Sequence, residues 1–360
     1  MRTITTKYKL YEDYDGTIYE VELPLSSRID VQHVAEELGL PEYLDLSNPS
    51  LVRALVTVWA ALRCPYMDHL FPSLKGKVSK PMPVLLFGGA AVKVHSPTAN
   101  KPGHALNRGL NDVDFVVRKK DGALFTKLLL ILSDALGTQY MYFATSGDKW
   151  FNALRGGKRY RVHGLNGFEG GGLGTCVVDI FCEELLFRHT IRLKEEFERA
   201  KETLYTIGLE NLLLSKLQFI FSVPVEKLAQ LEASGQSFRV LPYRYLKGMV
   251  VVGMELKDMK DVAVLLIDHE IGEGVEAINP KVLRNTLEKD KAFAQTVRLN
   301  LQNLLDNVDV LKKNGLSPSE TEEVAAAATE LLKAIPEVNK QWSKPWWNVY
   351  VESPGLEGVR

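Results

Sequence analysis

The chain has 360 residues, 46% of them hydrophobic and 25% charged, with 44 Lys and Arg against 45 Asp and Glu. Such a composition suits a globular protein with enough chain for two or three structural units and a real core. The near-zero net charge argues against a wholesale polyanion binder.

In chain order, residues 1–30 alternate weakly around Asp15-Gly16 and read as a hairpin. Asp30 is placed to cap a short helix that Gly39 stops. Asn48-Pro49 opens a second, LVRALVTVWAALR, which ends before Pro65 and is apolar on most sides, so it belongs in the interior. VLLF, residues 84–87, is an apolar run of strand type ending in Gly88-Gly89, with a helix expected from Ala90. After a long loop, residues 112–117 (DVDFVV) form another strand. Asp121 is placed to cap GALFTKLLLILSDAL, which Gly137 closes. YMYFAT, KRYRVHGL and CVVDIFC follow as strands, with a Gly-rich turn (Gly170, Gly171, Gly172, Gly174) before the last.

A strand, a Gly-Gly turn, a helix and then a mixed sheet predict an α+β core over residues 76–185. It is preceded by a hairpin and helices in residues 1–75 and followed by a helical region over 186–275 and a second over 276–360. Within these, residues 183–201, 208–222 and 257–268 read as helices. Asn279-Pro280 opens a long one with apolar positions Val297, Leu301, Leu304, Leu305, Val308 and Leu311 on one face, ended by Gly315. Ser317-Pro-Ser-Glu320 is a capping box that starts the last helix, which runs to Pro336. The tail, WSKPWWNVYVESPG, carries three of the five tryptophans and is expected to pack back on its own domain.

Three cysteines, Cys64, Cys176 and Cys182, form neither a CxxC pair nor an even framework, which argues against structural zinc and for a reducing compartment. The polar N-terminus is unlike a signal peptide, and no stretch reaches the roughly 18 apolar residues of a spanning helix. A cytoplasmic protein with no membrane association is expected.

The informative segment is Asp112-Val113-Asp114-Phe115. On a strand, side chains two apart share a face, so the two aspartates project together while Val113 and Phe115 enter the core. Carboxylates about 4 Å apart repel by about 4 kcal/mol at an effective dielectric of 20. That arrangement calls for a cation or for protonation of one acid. Hard oxygen ligands favour Mg²⁺, which keeps waters and binds substrate phosphates through the same shell. Asp179, in the middle of the apolar run VVDIF, would complete a three-carboxylate site if its strand lies beside that of Asp112. Gly88-Gly89, at a strand-to-helix junction, is either a tight turn or a place where backbone N–H groups approach phosphate. Neither GxGxxG nor GxxxxGK[ST] is present. Residues 93–161 hold 12 Lys/Arg and 5 Asp/Glu, either an ordinary solvated face or a surface for phosphates.

FGGAAV, RGLNDVDF and VVDIF, in that order, resemble the nucleotidyltransferase superfamily, in particular its AbiEii-like toxin branch and uncharacterised relatives of that branch. The resemblance extends to Arg108 four residues before the DxD, to Glu210 and Lys216 in LENLLLSKL, and to Lys260-Asp261, spanning residues 84–267. It implies a nucleotidyltransferase-type mixed sheet with flanking helices in 76–185, and a substrate-binding role for 186–275. It implies transfer of an NMP from a nucleoside triphosphate to a hydroxyl on RNA, tRNA or protein. Asp112, Asp114 and Asp179 would be catalytic and hold two Mg²⁺ ions, with Mn²⁺ as the alternative. Gly88 and Gly89 would cradle the phosphates, and Lys216 would reach their tail. Toxins of this type travel with an antitoxin, the further partner implied.

Read from the residues alone, Lys216 is equally an exposed helical lysine, and Arg108 either braces the carboxylates or touches nucleotide. The gap of 22 residues between Gly89 and Asp112 is longer than usual for the family, and HSPTANKPGHALNRG within it reads as a flap. Leu110 stands where the family often has Thr, and Val264 where it often has a second Asp. A catalytically silent member that binds nucleotide or a partner protein is the alternative, and it would show a lost carboxylate. A metal-dependent phosphohydrolase would mix His with Asp. None of the seven histidines lies in such a motif, and His95 and His104, in the long loop, are expected at the surface.

Overall fold

The computed structural model describes residues 4–12, 18–25, 27–110, 112–167, 173–228, 241, 248–274, 276–340 and 342–349. The chain divides into two units, one made of Met1–Val94, Gly109–Glu184 and Arg192–Ile207, the other of His95–Arg108, Leu185–Ile191 and Gly208–Arg360.

In the first unit β1 (Ile4–Glu12) and β2 (Ile18–Leu25) form the expected antiparallel hairpin; its Asp15-Gly16 turn lies outside the described residues. Helix α1 (Val31–Leu38) begins where the Asp30 side chain accepts the Gln32 N–H and ends at Gly39, whose φ of 67° is left-handed. Helix α2 (Pro49–Arg63) is capped by Asn48, which accepts from Ser50 and Leu51, and residues 50–61 are all buried. That matches its all-round apolar sequence.

A five-stranded mixed sheet, in the order β3-β4-β7-β6-β5, carries the unit. Its strands are β3 (Val84–Phe87), β4 (Asp114–Val117), β5 (Tyr142–Phe143), β6 (Arg159–Gly167) and β7 (Leu173–Cys182). Only β4 and β7 run parallel. Helix α3 (Gly88–His95) starts directly at the end of β3, two residues earlier than expected. The same junction shortens β4. Its pairing with β3 ends at Phe87↔Asp114, because β3 turns into α3 there. Asp112 and Val113 therefore precede the strand rather than belong to it. Helix α4 (Gly122–Leu136) is flanked by Asp121 and Gly137, yet the Asp121 side chain makes no capping hydrogen bond. Helix α5 (Ser146–Arg155), which no sequence expectation covered, is capped by a Thr145–Asp148 box. It follows directly on YMYFAT, whose last residue, Thr145, is its cap, and of that expected strand β5 keeps only Tyr142 and Phe143. Of the Gly-rich turn, residues 170–172 lie outside the described residues, and Gly174 falls in β7.

Residues 183–201 are not the helix expected. They hold β8 (Glu184–Leu186), β9 (Thr190–Arg192) and a single 3₁₀ turn at Glu195–Glu198. Glu183 has a φ of 63°, a conformation no helix continues through, and the aromatic and β-branched residues of FRHTI favour extended backbone.

The second unit is mainly helical. Helix α6 (Leu209–Leu217) stops short of the expected 222, and β10 (Phe221–Pro224) pairs antiparallel with β11 (Met249–Val252). Then come α7 (Leu256–Asp268), α8 (Pro280–Glu288), α9 (Lys291–Asp306), α10 (Val308–Lys313) and α11 (Pro318–Ala334). The single long helix expected from Asn279 to Gly315 is thus three. Asp290 caps a fresh start by accepting the Phe293 N–H at 3.0 Å, and Asn307 leaves helical geometry at φ −122°. The Ser317 capping box is present. The tryptophan tail packs back as expected: Trp346 and Trp347 share a buried cluster with Ile220, Leu241 and Val251, and Trp346 Nε1 donates to Thr296 at 2.9 Å. No described helix is long and apolar enough to cross a membrane.

The chain between Gly89 and Asp112, expected as a flap, is tied down within this unit where it enters it. The Thr98 N–H and hydroxyl donate to Asp268 at 3.0 and 2.7 Å. His95 is buried rather than on the surface, and His104 is half-buried with Nε2 2.8 Å from Glu320.

Candidate functional site

The expected site residues fall in two places. Gly88, Gly89, Asp112, Asp114 and Asp179 belong to the first unit, and Arg108 and Lys216 to the second.

In the first unit, strand register brings the acids together. Phe115 pairs with Ile180 across the parallel β4–β7 ladder, so Asp114 and Asp179 stand in one rank of the sheet. The backbone N–H of Asp179 donates to Asp114 Oδ1 at 3.2 Å. Val113 and Phe115 are buried while Asp112 is exposed and Asp114 half-buried, the alternation expected from the sequence. Burial pushes the Asp114 carboxyl well above the usual range, and the charges of Asp112 and Asp179 push it further. Opposing contributions come from the Asp179 N–H and from Arg159. Gly88, at φ 69°, is in the left-handed region that disfavours any side chain, and a Cβ there would stand 3.6 Å from Asp114 Oδ2. The turn therefore lays bare backbone against the carboxylate at the start of α3, where helix N–H groups are free to meet an anion.

Asp179 differs from its neighbours. Arg159 Nη2 pairs with its Oδ2, and Arg161 Nε donates to its Oδ1 at 3.1 Å. Both arginines lie over the Phe151 ring of α5, Arg161 at 4.6 Å and Arg159 at 5.6 Å. Arg159 also covers Phe181 at 4.8 Å, and its Nε is buried without a hydrogen-bond partner. By contrast, Asp112 makes no hydrogen bond or ion pair with a described residue. No set of three or more His, Cys, Asp or Glu side chains is placed to hold a metal ion among the described residues. The pair whose charge asks for a cation is Asp112 with Asp114; the oxygens of Asp179 are engaged by arginine.

Arg159 and Arg161 belong to the positive stretch noted in the sequence, but that they converge on Asp179 depends on the β6–β7 register, in which Arg161 faces Asp179. The alternation of Arg159, Arg161 and His163 along KRYRVHGL was the available signal, and it points these three to one face.

In the second unit Arg108 grips Asp261 with both ends of its fork, Nε to Oδ1 and Nη2 to Oδ2, each at 2.7 Å. Lys216 Nζ lies 2.6 Å from Asp261 Oδ2 and 3.7 Å from Asp258 Oδ1. Lys216 is 8% exposed, which removes the reading of an exposed helical lysine. Burial alone would raise Asp261, but Lys216 and then Arg108 outweigh it and hold its carboxyl at about 2. Asp258 is raised by burial, and one of its oxygens has no hydrogen-bond partner. Glu210 accepts the Asn279 N–H at 2.9 Å, tying α6 to the start of α8. This is a buried, charge-paired network of the kind that is costly to break by removing one member.

No protein-family model, curated protein or solved structure matches the chain.

Proposed function

We propose that the protein is a metal-dependent nucleotidyltransferase that passes an NMP from a nucleoside triphosphate to a hydroxyl acceptor on RNA or protein. The observation that carries this reading is the uncompensated pair Asp112 and Asp114 beside Gly88 at the start of α3. Two acids held together next to bare helix N–H groups suit a cation carrying a polyphosphate. The donors are oxygen only, as Mg²⁺ prefers.

Asp112 and Asp114 would hold the ion, with Asp179 joining if an arginine releases it. A divalent ion held there would supply Lewis-acid stabilisation of the phosphate charge. The residues of the chain do the rest. Gly88 and Gly89 would admit the β- and γ-phosphates to the backbone of α3. The N–H of Asp179 fixes the Asp114 carboxylate, and Asp179 holds Arg159 and Arg161 beside the site, where Arg159 retains an unused donor. The acceptor oxygen attacks the α-phosphorus, the bond to the β-phosphate oxygen breaks, and pyrophosphate leaves. A toxin role with an antitoxin partner rests on the sequence resemblance alone.

One observation favours a second reading, nucleotide binding without transfer: both Asp179 oxygens are already paired with arginine. The test is incubation with each of four α-labelled nucleoside triphosphates, Mg²⁺ and total RNA or lysate, beside Asp112→Ala/Asp114→Ala. Transfer expects label on an acceptor with the wild type and none with the double variant. Triphosphate binding with no labelled acceptor would move the conclusion to the silent binder.

A further inference from the structure

Arg159, Arg161 and His163 alternate along β6, and the first two both reach Asp179, so this face of the strand is the carboxylate face. His163 is paired with Val177 and Arg161 with Asp179, which makes His163 the diagonal neighbour of Asp179 on the sheet. Diagonal neighbours are about 7–8 Å apart, within reach of long side chains and of one bound group between them.

His163 is held as a base is held. Its Nδ1 lies 2.7 Å from Asp148 Oδ2. Asp148 is 3% exposed, and its carboxylate also accepts the N–H and the hydroxyl of Thr145, each at 2.8 Å. Burial raises the Asp148 carboxyl, but the bonds from His163 and Thr145 outweigh it and keep it below the usual range. An ionised Asp148 can only accept, so Nδ1 carries a proton, and in the neutral ring it is Nε2 that presents the lone pair. The ring is fixed a second time by stacking on Phe143, with centroids 5.6 Å apart and planes 24° apart. The His163 side chain is 20% exposed, and Nε2 makes no hydrogen bond to a described residue.

We infer that His163 is the general base of the transfer: its Nε2 takes the proton of the acceptor hydroxyl as that oxygen bonds to the α-phosphorus and pyrophosphate departs. Asp148 is its positioning residue, fixing the tautomer and steadying the imidazolium that forms. This rests on the nucleotidyltransferase reading. It also gives the helix α5 a purpose in the site, since the N-terminal box of that helix supplies Asp148. The electron-pair and proton balance needs no further reactant, because the proton gained on Nε2 returns to solvent between turnovers.

The experiment compares wild type, His163→Gln and His163→Gly with the four α-labelled triphosphates, Mg²⁺ and total RNA, with and without added imidazole. The expected result for both variants is a fall in kcat of about 10²–10⁴-fold with the KM for the triphosphate unchanged. Imidazole should restore part of the rate in His163→Gly only. A purely structural histidine would not give that rescue. Should His163→Gly lose its fold, His163→Gln with native circular dichroism and a lost kcat still supports the base. Wild-type rates in His163→Gln, or a loss in folded His163→Gly that imidazole leaves untouched, overturn it while the transferase reading stands. No transfer by the wild type itself removes both.

Discussion

Every buried acid of the second unit's network has a cation within reach. Asp261 takes the fork of Arg108 and the ammonium of Lys216, and Asp258 lies 3.7 Å from that ammonium. In the first unit both guanidiniums pair with Asp179, and at Asp114 burial and the charges of Asp112 and Asp179 outweigh the Asp179 N–H and Arg159. The two clusters share residue types and differ in charge balance. Where the balance closes, the acids serve the fold. Where it stays open, the protein tolerates repulsion that a bound cation would relieve, which is how a site differs from a strut.

Substitutions should separate the two. The largest effect is expected for Lys216→Met, which strands Asp261 and Asp258 in the interior and should cost about 3–5 kcal/mol in urea unfolding. A loss near zero would show that the network does not support the fold. Acid should work in the same direction. The folded Asp261 carboxyl sits at about 2 against its ordinary 3.8, so its contribution is present above the unfolded value and is lost as pH falls through the folded one. That is about 2 kcal/mol, read as an acid limb in stability between about pH 4 and pH 2 that flattens in Asp261→Asn. A smaller cost, about 1–2 kcal/mol, is expected for Gly88→Ala, from left-handed strain at φ 69°; triphosphate affinity should fall with it in equilibrium binding. Smallest is Asp114→Asn. Removing one of the crowded charges should leave stability within about 1 kcal/mol of wild type, or raise it, while labelled transfer falls to background. A large loss of stability would make Asp114 a strut like Asp261.

Local chemistry made much of the scaffold legible. Asp30 with Gly39, Asn48-Pro49 and Ser317 with Glu320 mark their helix ends by caps that depend on a few adjacent residues. The period-two alternation of Asp112 to Phe115 correctly sorted buried from solvent-facing side chains, although β4 begins only at Asp114. What stayed hidden depends on partners distant in sequence. Phe221 and Ser222 read as the end of a helix until Met249 to Val252 pairs with the strand they begin. Arg161 meets Asp179 and His163 meets Asp148 only through the β6–β7 register and the docking of α5, where Asn152 bonds both the N–H and the carbonyl of Arg161. The break at Asn307 is also silent to periodicity, since the apolar stripe from Val297 to Leu311 continues across it. Lys216 shows the same limit in reverse: one lysine on a leucine-rich helix carries no mark of the two aspartates that α7 brings to it.

The central claim is that Asp112 and Asp114 lack a counter-charge that a divalent ion supplies, and thermal unfolding of chelator-treated protein across a Mg²⁺ titration tests it most directly. The account predicts that the wild-type Tm climbs with Mg²⁺, by the equivalent of about 2.7 kcal/mol at a hundred times Kd, and that Asp112→Asn/Asp114→Asn stays flat. A wild-type Tm indifferent to Mg²⁺, or the same climb in the double variant, would contradict it.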